Sequence, residues 1–142
     1  MDIRKGPVYF DTNVFIYSIE GHEEYYGWLE ELFKYVYEQN IQIVTSELTL
    51  AECLVKPVKD GNTAAIEAFK GYIKSNELMA VKSVSREILI RSATVRSELG
   101  LKLPDAIHMA TAINQGCMTF VTNDRKLITP EGMDRIYLKD VV

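Results

Sequence analysis

Apolar residues recur along this chain at two spacings that alternate from one end to the other. Short runs rich in β-branched and aromatic side chains are typical of buried strands. They predict strands over residues 8–10, 41–44, 79–81, 117–122 and 135–138. The stretches between these runs are longer, and their apolar residues return every three or four positions, which is the spacing of a helix that buries one face.

The longer stretches predict helices over residues 14–19, 22–39, 46–55, 64–75, 85–99 and 103–116. Residues that begin and end helices mark several of these boundaries. Thr45 or Ser46 can cap the third helix, and Pro57 is expected to end it near residue 55. Ser85 can cap the fifth helix, and Gly100 is placed to end it.

The alternation of strands and helices predicts an α/β fold in which a parallel sheet carries helices on both faces. The sequence has no internal repeat and no low-complexity linker, so we expect residues 1–142 to form a single domain. A chain of this length can bury a core without disulfides. Its composition, 47% hydrophobic and 25% charged, is that of an ordinary globular domain.

The same composition bears on the cellular compartment. No apolar run approaches the roughly 18 residues that a membrane span needs, and residues 1–6 do not resemble a secretory signal. We therefore expect a cytoplasmic protein with no membrane contact. Cys53 and Cys117 lie in apolar segments and have no partner at the spacing of metal ligands, so we interpret both as buried thiols.

The net charge of −4 does not favour nucleic-acid binding, because proteins that bind phosphate backbones are usually basic. It does not exclude such binding either. An enzyme that gathers carboxylates around a divalent cation is locally acidic until the cation binds, and the cation then reverses the sign of the site.

Two acidic residues follow predicted strands. Asp11 comes directly after the strand at 8–10, and Asp124 lies two residues beyond the strand at 117–122. In open α/β sheets, ligands bind outside the carboxyl ends of the strands, so both side chains are expected near a binding site. The alternative is that each caps the helix or turn that follows it.

Two further acidic residues lie on predicted helices with little else that is polar. Glu52 shares a helical face with Leu48 and Val55, and an ion pair with Lys56 is the alternative explanation. Asp105 opens an alanine-rich apolar helix, where it could instead favour the positive end of the helix dipole. His108, one turn further on, could be a fifth ligand or a core residue.

Taken together, Asp11, Glu52, Asp105 and Asp124 could converge on one pocket. Carboxylates that share a pocket raise one another's pKa and need a cation to remain ionised. Oxygen ligands without cysteine favour Mg²⁺ or Mn²⁺. Such a site suits phosphodiester hydrolysis, in which a bound ion lowers the pKa of an attacking water.

The segments around these acids resemble the motifs of the PIN-domain family, which includes VapC-type toxins of prokaryotic toxin–antitoxin pairs. The matching segments are residues 10–17, 49–52, 103–112 and 120–124, and they occur in the family's order. The resemblance implies a three-layer α/β/α sandwich around a short parallel sheet and a ribonuclease that cleaves RNA. It also implies homodimers and inhibition by a small cognate antitoxin.

The resemblance carries roles to individual residues. Asp11, Glu52, Asp105 and Asp124 would hold one or two Mg²⁺ or Mn²⁺ ions. Thr12, Asn13 and Thr122 would orient the carboxylates or a bound water, although Asn13 could equally be a turn residue. Glu47 is also close to the second motif but suits a first helical turn better. Basic residues that could position RNA are Lys56, Arg86, Arg91, Arg96, Lys102, Arg125 and Lys126.

Two other functions remain open at this point. A non-catalytic module with the same fold would bind nucleic acid or protein, but loss of the acids would be its signature and all four are present. A phosphatase of the haloacid dehalogenase-like type also has an Asp after a strand. It needs a second Asp two residues later, where this chain has Asn13, which cannot transfer the proton.

Overall fold

The computed structural model describes residues 2–141 of the chain. Its centre is a five-stranded sheet in the order β3-β2-β1-β4-β5, in which every neighbouring pair is parallel. The strands are β1 Val8–Phe10, β2 Ile43–Ser46, β3 Met79–Lys82, β4 Thr119–Thr122 and β5 Asp134–Tyr137. The predicted parallel sheet is confirmed.

Helices connect the first four strands in chain order and cover both faces of the sheet, and a loop joins β4 to β5. The helices are α1 Thr12–Glu20, α2 Glu23–Glu38, α3 Glu47–Asp60, α4 Thr63–Tyr72, α5 Arg86–Leu99 and α6 Leu103–Asn114. A short 3₁₀ turn, Leu138–Asp140, follows β5. The architecture is the expected α/β/α sandwich, and none of the helices in residues 2–141 has the length and apolar character needed to cross a bilayer.

The sheet separates two apolar cores, because side chains of one strand point alternately to opposite faces. In β1, Val8 and Phe10 pack with residues of α1 to α4, whereas Tyr9 packs on the opposite face with residues of α5 and α6. All three side chains are fully buried. A strand buried on both faces reads as a continuous apolar run, which is why the sequence showed β1 clearly.

The strand order places a topological switch point between β1 and β4. From β1 the chain moves outward to β2 and β3, and it then returns to β4 on the other side of β1. The loops at the carboxyl ends of β1 and β4 therefore diverge to opposite faces and leave a crevice, which is where open α/β sheets bind ligands. Asp11 and Asp124 follow these two strand ends.

The predicted ends of the third and fourth helices are wrong. The fourth helix, α4, ends at Tyr72, three residues before its predicted end at residue 75. The third helix was expected to stop near residue 55, before Pro57, but α3 continues to Asp60 and is capped by Gly61 in the left-handed region. A proline removes only its own N–H from the helical hydrogen bonds. The last turn is closed beyond it, because Asn62 donates its N–H to the Pro57 carbonyl at 2.9 Å.

Two predicted strands begin two residues too early, for one shared reason. Ile41 and Cys117 are apolar but belong to helix ends: their N–H groups donate to the carbonyls of Val36 and Ala112, five residues back, at 2.8 and 3.0 Å. Each follows a residue with positive φ, Asn40 or Gly116. This is the Schellman motif, whose last residue is often apolar because it packs back on the helix.

The two cysteines are buried free thiols, as predicted. Burial raises the pKa of Cys53, and the negative charges of Glu52 and Asp11 add to the effect, so that the value is about 12. Burial alone raises the pKa of Cys117 to about 12. Neither thiol is activated as a nucleophile at neutral pH.

Candidate active site

Asp11 is held at the end of β1 by hydrogen bonds to both of its carboxylate oxygens. The N–H of Thr12 donates to Oδ1 at 2.8 Å, and the Thr122 hydroxyl donates to Oδ2 at 2.7 Å. The residue is the N-cap of α1 and is only 6% exposed. Asp11 therefore begins the helix, as one alternative expected, and also lies at the crevice between β1 and β4.

Asp124 is fixed by the turn that follows β4. Its N–H donates to the Thr122 hydroxyl at 3.1 Å, and its Oδ1 accepts the N–H of Lys126 at 2.9 Å. The side chain is partly exposed. Thr122 thus links the two strand-end acids, since its hydroxyl donates to Asp11 and accepts from Asp124.

Glu52 approaches the same crevice from α3. Its Oε1 accepts hydrogen bonds from His108 Nε2 at 2.5 Å and from the Thr12 hydroxyl at 2.8 Å. Burial alone would raise the pKa of Glu52, but the hydrogen bond and charge of His108, with the Thr12 hydroxyl, outweigh it and lower the value. The ion pair of Glu52 within residues 2–141 is therefore with His108 and not with Lys56.

Asp105 lies in the first turn of α6, and its pKa is shifted in the opposite direction from that of Glu52. Burial raises its pKa, and the negative charges of Asp11, Asp124 and Glu52 raise it further against the opposing effect of His108. No hydrogen bond to its side chain is found among the residues that the structure describes. The other three acids are thus near enough for their charges to act on Asp105.

Within residues 2–141, no three His, Cys, Asp or Glu side chains are arranged closely enough to hold a metal ion. The donor chemistry nevertheless fits Mg²⁺ or Mn²⁺, because the acids near Asp105 offer hard oxygen atoms. Three carboxylate charges raise the pKa of Asp105, and a divalent cation would relieve that repulsion.

The three polar residues that the resemblance placed behind the acids differ in their contacts. Thr12 and Thr122 each donate a hydroxyl to a carboxylate, to Glu52 and Asp11 respectively. Asn13 lies in the first turn of α1, and its side chain forms no hydrogen bond to the part of the chain that the structure describes. A turn role in which Asn13 bonds its own backbone therefore has no support in these contacts.

His108 and Tyr9 form a buried pair that the sequence did not assign to the site. His108 was expected to be either a fifth ligand or a core residue. It is 1% exposed, its Nδ1 lies 2.7 Å from the Tyr9 hydroxyl, and its Nε2 contacts Glu52. The signal for Tyr9 was a hydroxyl inside a fully buried strand, which requires a partner.

The two basic residues that follow Asp124 differ in their contacts with the rest of the protein. The Arg125 guanidinium pairs with Asp140 at 3.1 Å and lies over the Tyr137 ring at 4.0 Å, so it holds the C-terminal segment. Lys126 is exposed beside the crevice. Of the two, Lys126 is better placed to meet a substrate.

Comparison with known proteins shows the family of the chain. The family model described as PIN domain matches residues 8–131, which includes every acid of the crevice. No curated protein sequence matches the chain at a significant level.

Solved structures with the same fold come from toxin–antitoxin systems. The VapBC2 complex of Rickettsia felis bound to a promoter DNA fragment is similar at 18% identity, with a TM-score of 0.71, over 92% of this chain and 98% of that chain. A toxin–antitoxin complex from Klebsiella pneumoniae has 23% identity and a TM-score of 0.67 over 92% and 97%. VapC20 of Mycobacterium tuberculosis, a sarcin-ricin loop cleaving toxin, has 15% identity and a TM-score of 0.61 over 80% and 86%.

Proposed function

The chain belongs to the PIN domain family, and from this premise we propose that it is a metal-dependent endoribonuclease that cleaves RNA phosphodiester bonds. One observation carries the proposal: Asp11, Asp124 and Glu52 meet at the crevice, where the Thr122 hydroxyl contacts the first two and the Thr12 hydroxyl contacts the third. Burial and the charges of these three acids raise the pKa of Asp105 beside them. Evolution rarely keeps several carboxylates in mutual repulsion at a sheet crevice unless a cation or a reaction uses them.

In this proposal Asp11, Glu52, Asp105 and Asp124 hold Mg²⁺ or Mn²⁺. When bound, such an ion lowers the pKa of an attacking water and stabilises the charge that develops on the phosphate oxygens. The chain contributes orientation: the Thr122 hydroxyl fixes Asp11 Oδ2, and Thr12 fixes both Asp11 Oδ1 and Glu52 Oε1. Lys126 lies where it could meet a substrate phosphate.

The proposal includes a partner, because the similar structures are complexes of toxins with antitoxins. An open apolar groove of about 260 Å³ runs along α1, α2 and α4, lined by Ser18, Tyr26, Leu29, Glu30, Phe33 and Tyr72. Tyr26 in this groove is 57% exposed. A segment of a partner protein would cover this apolar surface. A neighbouring gene that encodes a short protein with a DNA-binding N-terminus would support the proposal of an antitoxin.

The expected homodimer is a separate prediction. The molar mass of the protein in solution, measured by light scattering, would test it.

The nuclease proposal predicts that purified protein cleaves single-stranded RNA in Mn²⁺ and not in EDTA. Asp11→Asn should reduce the rate by about 10³-fold, since a cation in a hydrolytic site contributes several kcal/mol. The amide can still accept the Thr12 N–H, so the fold should survive. The measurement is the initial rate of cleavage of a fluorescent RNA oligonucleotide.

Asp60→Asn is the matched control, because Asp60 is an exposed carboxylate at the end of α3. It should cut at the wild-type rate. Cleavage by Asp11→Asn at that same rate would show that the acids are misassigned. A wild-type protein that takes up no Mn²⁺ at millimolar concentration in calorimetry would instead be the non-catalytic module.

A further inference from the structure

A buried hydrogen-bonded chain runs behind the crevice from β1 through α6 to α3. It begins at the Tyr9 hydroxyl, passes through both nitrogens of the His108 ring and ends on Oε1 of Glu52. The distances are 2.7 Å from Tyr9 to His108 Nδ1 and 2.5 Å from His108 Nε2 to Glu52. These residues are far apart in sequence, so the chain exists only because the fold is complete.

The inner end of this chain is rigid. Tyr9 is fully buried and stacks on Phe120 with the ring centroids 4.8 Å apart and the planes 18° apart. His108 packs edge-on against the same Tyr9 ring at 5.8 Å. The stacked Phe120 ring and full burial hold the phenol in place, and the phenol hydroxyl in turn limits the rotation of the imidazole.

The outer end leaves one carboxylate oxygen available. Oε1 of Glu52 takes two donors, His108 Nε2 and the Thr12 hydroxyl. The other oxygen, Oε2, forms no hydrogen bond to any residue between 2 and 141, and the Glu52 side chain is 37% exposed. One oxygen is thus held from behind while the other is open to the crevice.

His108 is poorly placed to be a ligand itself. Both ring nitrogens already have partners and the side chain is 1% exposed. Its Nε2 is also 3.9 Å from Asp11 Oδ1 and 3.5 Å from the Thr12 hydroxyl, so it lies behind the two acids rather than between them and solvent.

We propose that His108, braced by Tyr9, is a positioning residue that holds Glu52 Oε1 so that Oε2 faces the cation of the crevice. This inference rests on the proposed metal site. Groups that orient metal-binding carboxylates commonly change metal affinity by about 10- to 100-fold when they are removed. His108 and Tyr9 would therefore matter to metal binding without touching the metal.

The test is Mn²⁺ affinity, measured by calorimetry on the purified full chain without RNA. His108→Leu removes both hydrogen bonds and should weaken Mn²⁺ binding by about 10- to 100-fold. His108→Gln can place its amide nitrogen near the position of His108 Nε2, so it keeps a donor to Glu52 Oε1 and should restore affinity to within about threefold. Tyr9→Phe keeps the ring and loses only the hydroxyl, and should weaken binding by several-fold.

Thr111→Val is the matched control for lost stability. Thr111 is buried on α6 one turn beyond His108, and its hydroxyl bonds the Ile107 carbonyl instead of the crevice. This variant should unfold at a lower temperature with unchanged Mn²⁺ affinity.

The outcomes separate the two proposals. If wild type binds Mn²⁺ and Tyr9→Phe and His108→Leu bind it equally well, the positioning role is overturned and the metal site stands. If His108→Leu does not fold, Tyr9→Phe decides the question, because wild-type Mn²⁺ affinity in that variant would overturn the positioning role. If wild type binds no Mn²⁺, the proposed function is overturned and the positioning role with it.

Discussion

Glu52 and Asp105 belong to the same crevice, but the protein treats them in opposite ways. Glu52 has hydrogen-bond donors in His108 and Thr12, and its pKa is lowered despite burial. The Asp105 side chain accepts no hydrogen bond from residues 2–141, and burial with the charges of its neighbours raises its pKa. The surroundings of Glu52 therefore stabilise its ionised form, whereas those of Asp105 destabilise its ionised form.

The contrast shows where a cation would contribute most. Hydrogen bonds within the protein already favour the ionised form of Glu52, so a cation adds orientation there more than charge relief. At Asp105 His108 relieves the repulsion only in part, and a divalent ion would remove the rest. The fold therefore loses some stability at the α6 side of the crevice, as sites prepared for a ligand often do.

The largest expected effect comes from neutralising each acid in turn. In EDTA at neutral pH, Asp105→Asn should raise the unfolding temperature because it removes repulsion, whereas Glu52→Gln should lower it because it weakens the pair with His108. Both variants should lose the rise that Mn²⁺ gives to wild type. At 100 times the dissociation constant that rise is about 2.7 kcal/mol, or about 8 °C for a domain of this size.

Glu87→Gln is the control for the helix dipole, since Glu87 is an exposed acid in the first turn of α5. It should lower the unfolding temperature slightly, because a first-turn acid normally stabilises its helix. An Asp105→Asn protein that is less stable than wild type in EDTA would show that Asp105 is an ordinary helix-dipole acid.

The acids could be predicted because their sequence context is local. Asp11 follows an apolar strand and Glu52 interrupts an apolar helical face, so each is conspicuous without any knowledge of its partner. The crevice itself followed from the alternation of strands and helices, which predicts a parallel sheet with its carboxyl ends on one side. Whether the carboxylates act together as a metal site stays a prediction.

The support for Glu52 could not be predicted, because it depends on contacts between distant residues. His108 is 56 residues from Glu52 and 99 from Tyr9, and only the completed sheet and its two helical layers bring them together. A buried helical histidine and a buried strand tyrosine are each common in cores. Lys56, one turn away on the same helix, was the more visible partner in the sequence.

A smaller effect is expected from pH on the metal-free protein. The pKa of His108 is raised above its ordinary value of 6.5: burial lowers it, but the hydrogen bond to Glu52 and the charges of Asp11, Glu52 and Asp105 outweigh burial. The contribution of His108 to the stability of the fold is complete below pH 6.5 and is lost as the pH rises through the pKa that His108 has in the folded protein. The pKa of Glu52 is lowered, so its contribution is complete above 4.5 and is lost toward acid.

The pair should therefore stabilise the fold most between about pH 4.5 and 6.5. Above that window the free energy of unfolding should fall by about 1.5 kcal/mol, and the unfolding temperature by about 5 °C. This value is at the low end for a charged hydrogen bond, because Glu52 is partly exposed. Unfolding temperatures measured in EDTA from pH 4 to 9 would test this. His108→Gln does not titrate and should flatten the alkaline side, and an unchanged slope would mean that other groups cause it.

The smallest expected effect is at Thr12, whose hydroxyl is the second donor to Glu52 Oε1. Thr12→Val removes the 2.8 Å hydrogen bond to Oε1 but keeps the shape of the side chain, and it should lower the unfolding temperature by about 3 °C or less. Thr12→Ser keeps the hydroxyl and is the matched control. Because Oε1 retains His108 as a donor, Mn²⁺ affinity should fall less in Thr12→Val than in His108→Leu. A larger fall at Thr12 would reverse the order of the two supports and make the hydroxyl, not the imidazole, the group that orients Glu52.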